Sequence, residues 1–289
     1  MSNTIELAKS FVPKLDECYR LASLTSVLDG APELAKQGAN ANELIIPMMS
    51  MDGLADYSRN GGYVQGGVTM TNETVKCNFD RGRRFDVDVM DDLEPAGLAF
   101  GRLSAQFIRD KVVPELDAFR FASYCGISGV TKKEETLADG AATVAALSAA
   151  VTAMDDEEVT ATGRYLFITP TLLQGINDMD TTKSKKVLEG FEQVIKVPQR
   201  RFYTAIKQLS GKTGEEAGGY TKAAGAANIN FAIVQKDALI QYTKHAAPKI
   251  IAPENNPDAD AYVFGYRMVG IAKAYKNMLS GMYFSHDKA

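Results

Sequence analysis

Cysteine and histidine are scarce in this sequence, with three and two copies in 289 residues. Cys18, Cys77 and Cys125 lie far apart and form no C-x-x-C pair, which argues against a disulfide framework or a zinc site. His245 and His286 belong to no H-E-x-x-H or i, i+4 metal pair, so each reads as structural or solvated. A Ser–His–Asp or Cys–His nucleophile would have to use one of them, and neither a G-x-S-x-G elbow nor a cysteine signature supports that. An excess of positive charge is also missing: 32 Lys and Arg stand against 36 Asp and Glu, a net charge of −4. Such a chain has little with which to displace counterions along a duplex, which opposes general nucleic-acid binding. No stretch approaches the roughly 18 apolar residues of a membrane span, and the start, MSNTIELAKSFVPKL, lacks the pattern of a signal peptide. The composition is otherwise ordinary, 45% apolar and 24% charged, which excludes a disordered chain, a collagen and a coiled coil. The length corresponds to about two domains. The expectation is a soluble, folded, cytosolic chain.

Residues 4 to about 28 place Ile5, Leu7, Phe11, Leu15, Tyr19 and Leu24 at helical spacing, with turn residues from Asp29 to Pro32 ending the pattern. Residues 43–91 are less usual. ELIIPMMSM reads as a strand with an edge-type proline, Pro47. The next sixteen residues, DGLADYSRNGGYVQGG, hold five glycines and read as a turn. VTMTNETVKCNFDRGRRFDVDVMDD then alternates in its second half, Phe85, Val87 and Val89 against Asp86 and Asp88. The pattern predicts two long strands joined by a glycine-rich tip, with a bulge or bend at Gly82. A two-stranded hairpin is marginal alone in water, and this one is poor in large apolar residues over Thr69–Thr74. It is either two strands of a larger sheet or a hairpin held by something outside it.

From Glu94 the period becomes helical, and Leu98, Leu103, Phe107, Ile108, Val112, Leu116 and Phe119 form one apolar stripe. Asp91, Asp92 and Glu94 suit its start, and Pro114 predicts a kink or split near Val113. Further on are an alanine-rich helix at about 140–156, a strand at 163–170 and a short helix with Thr169 or Thr171 as cap. A polar stretch, 180–225, precedes a strand–helix pair in NINFAIVQKDALIQYTKH, and strands end the chain.

Chemistry is sparse. Gly211-Lys212-Thr213 resembles the end of a phosphate loop, but the first glycine of that motif would fall on Ile206. Acidic clusters at Asp86–Glu94 and Asp155–Glu158 have no EF-hand spacing and read as solvated surface, the second in a loop. Arg81, Arg83 and Arg84 lie among Asp80, Asp86 and Asp88, a local balance that suggests arginine–carboxylate pairs, expected across an interface rather than on nucleic acid. No catalytic, cofactor-binding or metal-binding residues emerge.

The stretch ANANELIIPMMSMDGLADYSRNGGYVQGGVTMTNETVKCNFDRGRRFDVDVMDD resembles major capsid proteins of tailed bacteriophages. So do DKVVPELDAFRFASY, RYLFITPTLL, NFAIVQKDALIQYTKH and the terminal DADAYVFGYRMVGIAKAYKN, in the family's order across nearly the whole chain. The resemblance implies the α+β Hong Kong 97-like shell fold. It would give an N-terminal arm over 1–42, an extended loop over 43–92, a peripheral domain with a spine helix over 93–135, an axial domain over 136–255, and strands returning to the peripheral domain over 256–289. It also implies a structural subunit rather than an enzyme, which assembles with copies of itself into pentamers and hexamers around double-stranded DNA. The DNA would be bound without sequence specificity and no membrane involved, with separate scaffold, portal or decoration proteins as further partners. The place would be the virion, assembled in the host cytoplasm. Candidate contacts between subunits are Tyr57, Arg59 and Tyr63 at the tip of the loop and Arg81, Arg83, Arg84, Asp86 and Asp88 at its base. Some relatives cross-link through a loop lysine; this chain has none between Lys36 and Lys76, so no such link is expected. The alternative reading is an encapsulin-type bacterial compartment, which resembles the same fold. An enzyme with an unrecognised carboxylate site and a nucleic-acid-binding module find no support in the residues.

Overall fold

The computed structural model describes residues 23–30, 36–37, 43–89 and 105–288. The first part of the expected N-terminal helix, Asp91, Asp92 and Glu94, and Leu98 and Leu103 of the helical stripe lie outside the described residues.

One mixed five-stranded sheet and one antiparallel three-stranded sheet share a single long helix. The larger sheet has the order β5 (Thr131–Glu134), β13 (Met282–His286), β10 (Ile229–Gln235), β6 (Arg164–Ile168) and β7 (Gln193–Lys196). Every residue of β6 and β10 is buried, as a strand covered on both faces requires. Leu166, Ile168, Phe231 and Ile233 point to one side, into a core closed by helices α2 (Gly140–Asp156), α3 (Pro170–Met179) and α4 (Thr182–Glu189). Tyr165, Phe167, Ala232, Val234 and Phe284 point to the other, against Phe121, Tyr124 and Cys125 of helix α1 (Val113–Gly126).

The second sheet has the order β11 (Leu239–Ile251), β12 (Ala261–Ala274) and β4 (Phe79–Asp88). Phe79, Phe264, Tyr266 and Met268 pack on Ile108, Val113 and Leu116, so the front of the same helical rod serves this sheet and its rear half serves the other. The helix changes type at Val113, one residue before Pro114. A π-helical turn, Ile108–Val112, runs into α1, and the Val113 N–H reaches back five residues to the Ile108 carbonyl. Widening the turn moves aside the carbonyl that the proline ring would strike.

The extended segment departs from its expected form. Strands β2 (Glu43–Met51) and β3 (Val68–Lys76) pair in continuous register from Glu43–Lys76 to Met51–Val68, with β1 (Lys36–Gln37) beside β2. The second long strand breaks at Cys77–Asn78, and β4 joins β12 instead. The Asn78 side chain makes the break tolerable, donating to the Ala272 carbonyl at 2.9 Å and accepting from its N–H at 3.0 Å. Gly82 carries no bulge, because β4 and β12 pair without a register shift. Its missing side chain matters for another reason: a Cβ there would stand 2.7 Å from the Tyr266 carbonyl oxygen.

Two other expectations change. DALIQYTKH forms β11 rather than a helix, because it pairs with β12 along its length, and only the turn Lys236–Ala238, capped by the Gln235 side chain, is helical. Asp155 and Asp156 end α2 rather than sitting in a loop, and Asp155 pairs with buried Arg164 at 2.7 Å. Strand β11 pairs within the three-stranded sheet, whereas β13 pairs within the five-stranded one. Among the described residues, no helix is long and apolar enough to cross a membrane.

Candidate intersubunit interface

The outer half of the β2–β3 hairpin presents apolar side chains to solvent, whereas Val75 near its base is buried against Ile240 and Ile271. In an antiparallel pair, residues directly opposite share a face and successive residues alternate. The register Met51–Val68 and Met49–Met70 therefore puts four aliphatic side chains on one face of its outer half. They are 58–69% exposed. Leu54, Tyr57, Tyr63 and Val64 in the tip are exposed as well, so this hairpin carries eight of the nine large apolar side chains left uncovered among the described residues. Isolated exposed apolar residues are ordinary, but a contiguous set of this kind marks a surface that meets something.

The tip is ordered in two tiers. Asp52 and Gly67 close the lower one: the Asp52 carboxylate accepts from the Gly67 N–H at 2.7 Å and the Asp52 N–H donates to the Gly67 carbonyl at 3.1 Å. Above it, Ser58 and Gly62 exchange backbone hydrogen bonds around Arg59, with Gly62 at φ 72°, a left-handed value that glycine accepts without strain. This turn sets the Tyr57 and Tyr63 rings side by side, their centroids 4.9 Å apart and their planes tilted by 59°.

The basic run lies at the other end of the hairpin, on β4. Arg81 Nε donates to Glu115 of α1 at 2.8 Å, and its Nη2 donates to the carbonyls of Leu209 and Gly219 at 2.8 and 3.3 Å. Burial raises the Glu115 pKa above the ordinary carboxylate value, and the Arg81 guanidinium works against that shift. Arg83 donates to the Glu216 carbonyl at 2.8 Å, and a Cβ on Gly218 would lie 2.9 Å from its Nη1. Arg84 pairs with Asp86 at 2.8 Å with both groups half exposed, and its pKa is raised by that hydrogen bond. Arg81 and Arg84 thus find their carboxylates inside the chain, at Glu115 and Asp86, where pairing across an interface was expected. Asp88 ends β4, opposite Ala261. The tip residues Tyr57, Arg59 and Tyr63 and the basal residues Arg81 to Asp88 form two separate sets, with the length of the hairpin between them.

Beside the basal set lies an open groove of about 1270 Å³, walled by β4, by the π-helical turn and start of α1, and by the segment 209–222. Lys111, Arg200, Lys222 and Glu115 line it together with Arg81, Arg83 and Arg84, and Phe107, Pro114 and Tyr266 form apolar ground between the charges. None of Lys111, Arg200, Lys222 and Glu115 stood out in the sequence, because they come from distant segments.

No family model matches the sequence, and no curated protein matches it. Solved structures do. A structure from Gordonia phage Cozz aligns over 93% of this chain and 87% of that one, with a TM-score of 0.59 at 11% identity. The virus-like particle from Pyrococcus furiosus aligns over 94% and 95% (TM-score 0.58, 10% identity), and the capsid of cyanophage P-SCSP1u over 88% and 86% (TM-score 0.55, 12% identity). The chain shares the fold of these structures, a phage capsid and a virus-like particle among them. Within that fold the helical rod Ile108–Gly126 is the element shared by the two sheets, and the β2–β3 hairpin is the part whose apolar surface its own chain leaves uncovered.

Proposed function

We propose that this chain is the structural subunit of a bacteriophage icosahedral shell, assembling with copies of itself in pentamers and hexamers around a double-stranded DNA genome. The observation that carries the reading is the uncovered apolar hairpin. Burying side chains such as Met49, Met51, Val68 and Met70 is worth about 1.5–3 kcal/mol each, a gain the isolated subunit forgoes. A hairpin on one copy that meets a different surface on the next is a heterologous contact, which closes into rings. The capsid fold supports the same reading. Phage capsids among the matched structures favour a viral shell over an encapsulin-type compartment. The net charge of −4 suits a container that must release its genome, because a strongly basic lining would retain it. The role is mechanical, and the virion is its place.

Negative-stain microscopy of the purified protein tests the reading. Closed particles or capsomer rings are the expected result, and a monomer at every concentration and ionic strength tried would overturn it. Nuclease-protected DNA inside particles isolated from infected cells separates the viral shell from a compartment loaded with protein.

A further inference from the structure

We propose that Met49, Met51 and Met70 form an oxidation switch on the β2–β3 hairpin: a peroxide converts their exposed thioethers to sulfoxides in the free subunit, and a subunit so modified no longer assembles. The inference rests on the shell reading and adds to it a modification site and the chemistry that acts there.

Exposure and register single these three out. Met49, Met51 and Met70 are 58%, 67% and 63% exposed, whereas Met154, Met268 and Met282 in the cores are at most 2% exposed. Met49 stands directly opposite Met70, and Met51 follows Met49 two residues along the same strand, so the three side chains share one face. A thioether reacts without ionising first, so access to the oxidant decides which methionine is modified. Outside the hairpin, Met278 is the one other large apolar side chain left uncovered among the described residues, and it serves as an internal comparison.

The reaction balances with the peroxide alone. The sulfur lone pair attacks one peroxide oxygen, the O–O bond breaks and an S–O bond forms. The other oxygen takes up the proton of the transferred one and leaves as water, so sulfur gives two electrons and the peroxide receives them. Each event turns a flexible apolar side chain into a polar one with a strong acceptor oxygen. In the free subunit water satisfies that oxygen, and none of the three side chains belongs to a core cluster, so the fold loses nothing. Between copies the same oxygens need donors that the thioethers never required, and a surface matched to methionine rejects them. A neighbour that covers the face hides the sulfurs in turn, so the modification acts before assembly. A sulfoxide reductase supplied with a dithiol reverses it, returning the thioether as the dithiol becomes a disulfide and water is released.

Limited treatment of free subunits with hydrogen peroxide, followed by peptide mass spectrometry and an assembly titration, tests this directly. Sulfoxide is expected first at Met49, Met51 and Met70, with Met154, Met268 and Met282 unmodified. The concentration needed for assembly should rise about tenfold or more, with the unfolding transition of the subunit unmoved. Sulfoxide reductases acting on both epimers, with dithiothreitol, should restore assembly. The comparison is a variant carrying Met49→Leu, Met51→Leu and Met70→Leu, which keeps the apolar volume and offers no sulfur on that face. It should assemble at the original concentration before and after peroxide, although its Met278 and cysteines meet the same oxidant. Oxidised subunits that assemble at the original concentration, or a leucine variant that loses assembly to peroxide as the unsubstituted protein does, overturn the switch and leave the shell reading standing. Failure of the untreated, unsubstituted protein to form any particle overturns the shell reading and the switch together.

Discussion

The Thr25 hydroxyl donates to the fully buried Asp117 carboxylate at 2.7 Å and accepts from Arg120 Nη1 at 2.8 Å, tying the segment 23–30 to the middle of α1. Asp117 also accepts from Ser23 Oγ and from the Leu24 and Thr25 N–H groups, and it pairs with Arg201 at 3.2 Å. Gln241 of β11 completes the knot, donating to the Thr25 carbonyl at 2.6 Å and to Asp29 at 2.7 Å. The N-terminal segment, the shared helix and Arg201 therefore meet at one anion, and β11 ties into the same segment through Gln241. Replacing Asp117 by Ala leaves Arg201 and four donors without their acceptor. The expected cost is about 3–5 kcal/mol in denaturant unfolding, the range for removing one partner of a buried pair. A loss below about 1 kcal/mol would mean that the network does not hold the segment in place.

Gly82→Ala should destabilise the subunit by about 1–3 kcal/mol, because the new methyl group meets the Tyr266 carbonyl at 2.7 Å between two strands that pair without a bulge. Gly53→Ala is the control, since nothing lies within 4 Å of a Cβ there. Equal thermal stability of the two variants would argue that the strands can separate to make room.

Local patterns carried much of this fold into the sequence. The alanine-rich helix, the buried strand at Arg164–Ile168, the β2–β3 hairpin and the alternation of Phe85 and Val87 against Asp86 and Asp88 follow from periods of 3.6 and 2. Failures came where a distant partner decided. DALIQYTKH has an acceptable helical period, yet β12 offers it a full ladder. The strand break at Asn78 depends on Ala272, nearly two hundred residues away, and the role of Gly82 depends on Tyr266. The site was legible in halves. The glycine-rich tip and the arginine run announced themselves, whereas the groove between the arginine run and α1 exists only after residues near 80, 110, 200 and 220 converge.

Alkaline pH should weaken the groove wall. Burial pushes the Tyr220 phenol up to about 12, against the opposing pull of Arg201 and Arg200, while its hydroxyl donates to the Arg200 carbonyl at 2.8 Å. An unfolded tyrosine ionises near 10. The folded state therefore holds its proton more tightly, so this contribution to stability is complete below about pH 10 and is lost as pH rises through 12. Absorbance at the phenolate band, followed with unfolding, should show a late-titrating component that Tyr220→Phe diminishes, beside those of Tyr165 and Tyr283, which burial also raises. Stability of the Phe variant that falls just as steeply over that range would assign the effect elsewhere.

Covalent linkage through a lysine of the hairpin tip should be absent. An isopeptide bond needs an amine, and no lysine lies between Lys36 and Lys76. Assembled particles boiled in detergent should run as a single monomer band near 31.3 kDa on denaturing electrophoresis. A ladder of higher species would show a bond made by some other residue pair.

The aliphatic face of the hairpin offers the sharpest separation of folding from assembly. Met49, Met51, Val68 and Met70 point to solvent in the subunit, so replacing them by Ser, Ser, Thr and Ser removes no core contact and keeps β-compatible residues at paired positions. Surface substitutions of this kind change subunit stability by about 0.5 kcal/mol or less apiece. Against a neighbour, the same four side chains would lose about 1.5–3 kcal/mol each if fully buried there, far more than the margin on which most assembly equilibria turn. The expected outcome is a monomer with an unchanged unfolding curve that sediments as a single small species where the unsubstituted protein forms particles. Particles formed at the original concentration would show that the face stays in water in the assembled state, and the uncovered apolar surface would then need an occupant other than a second copy.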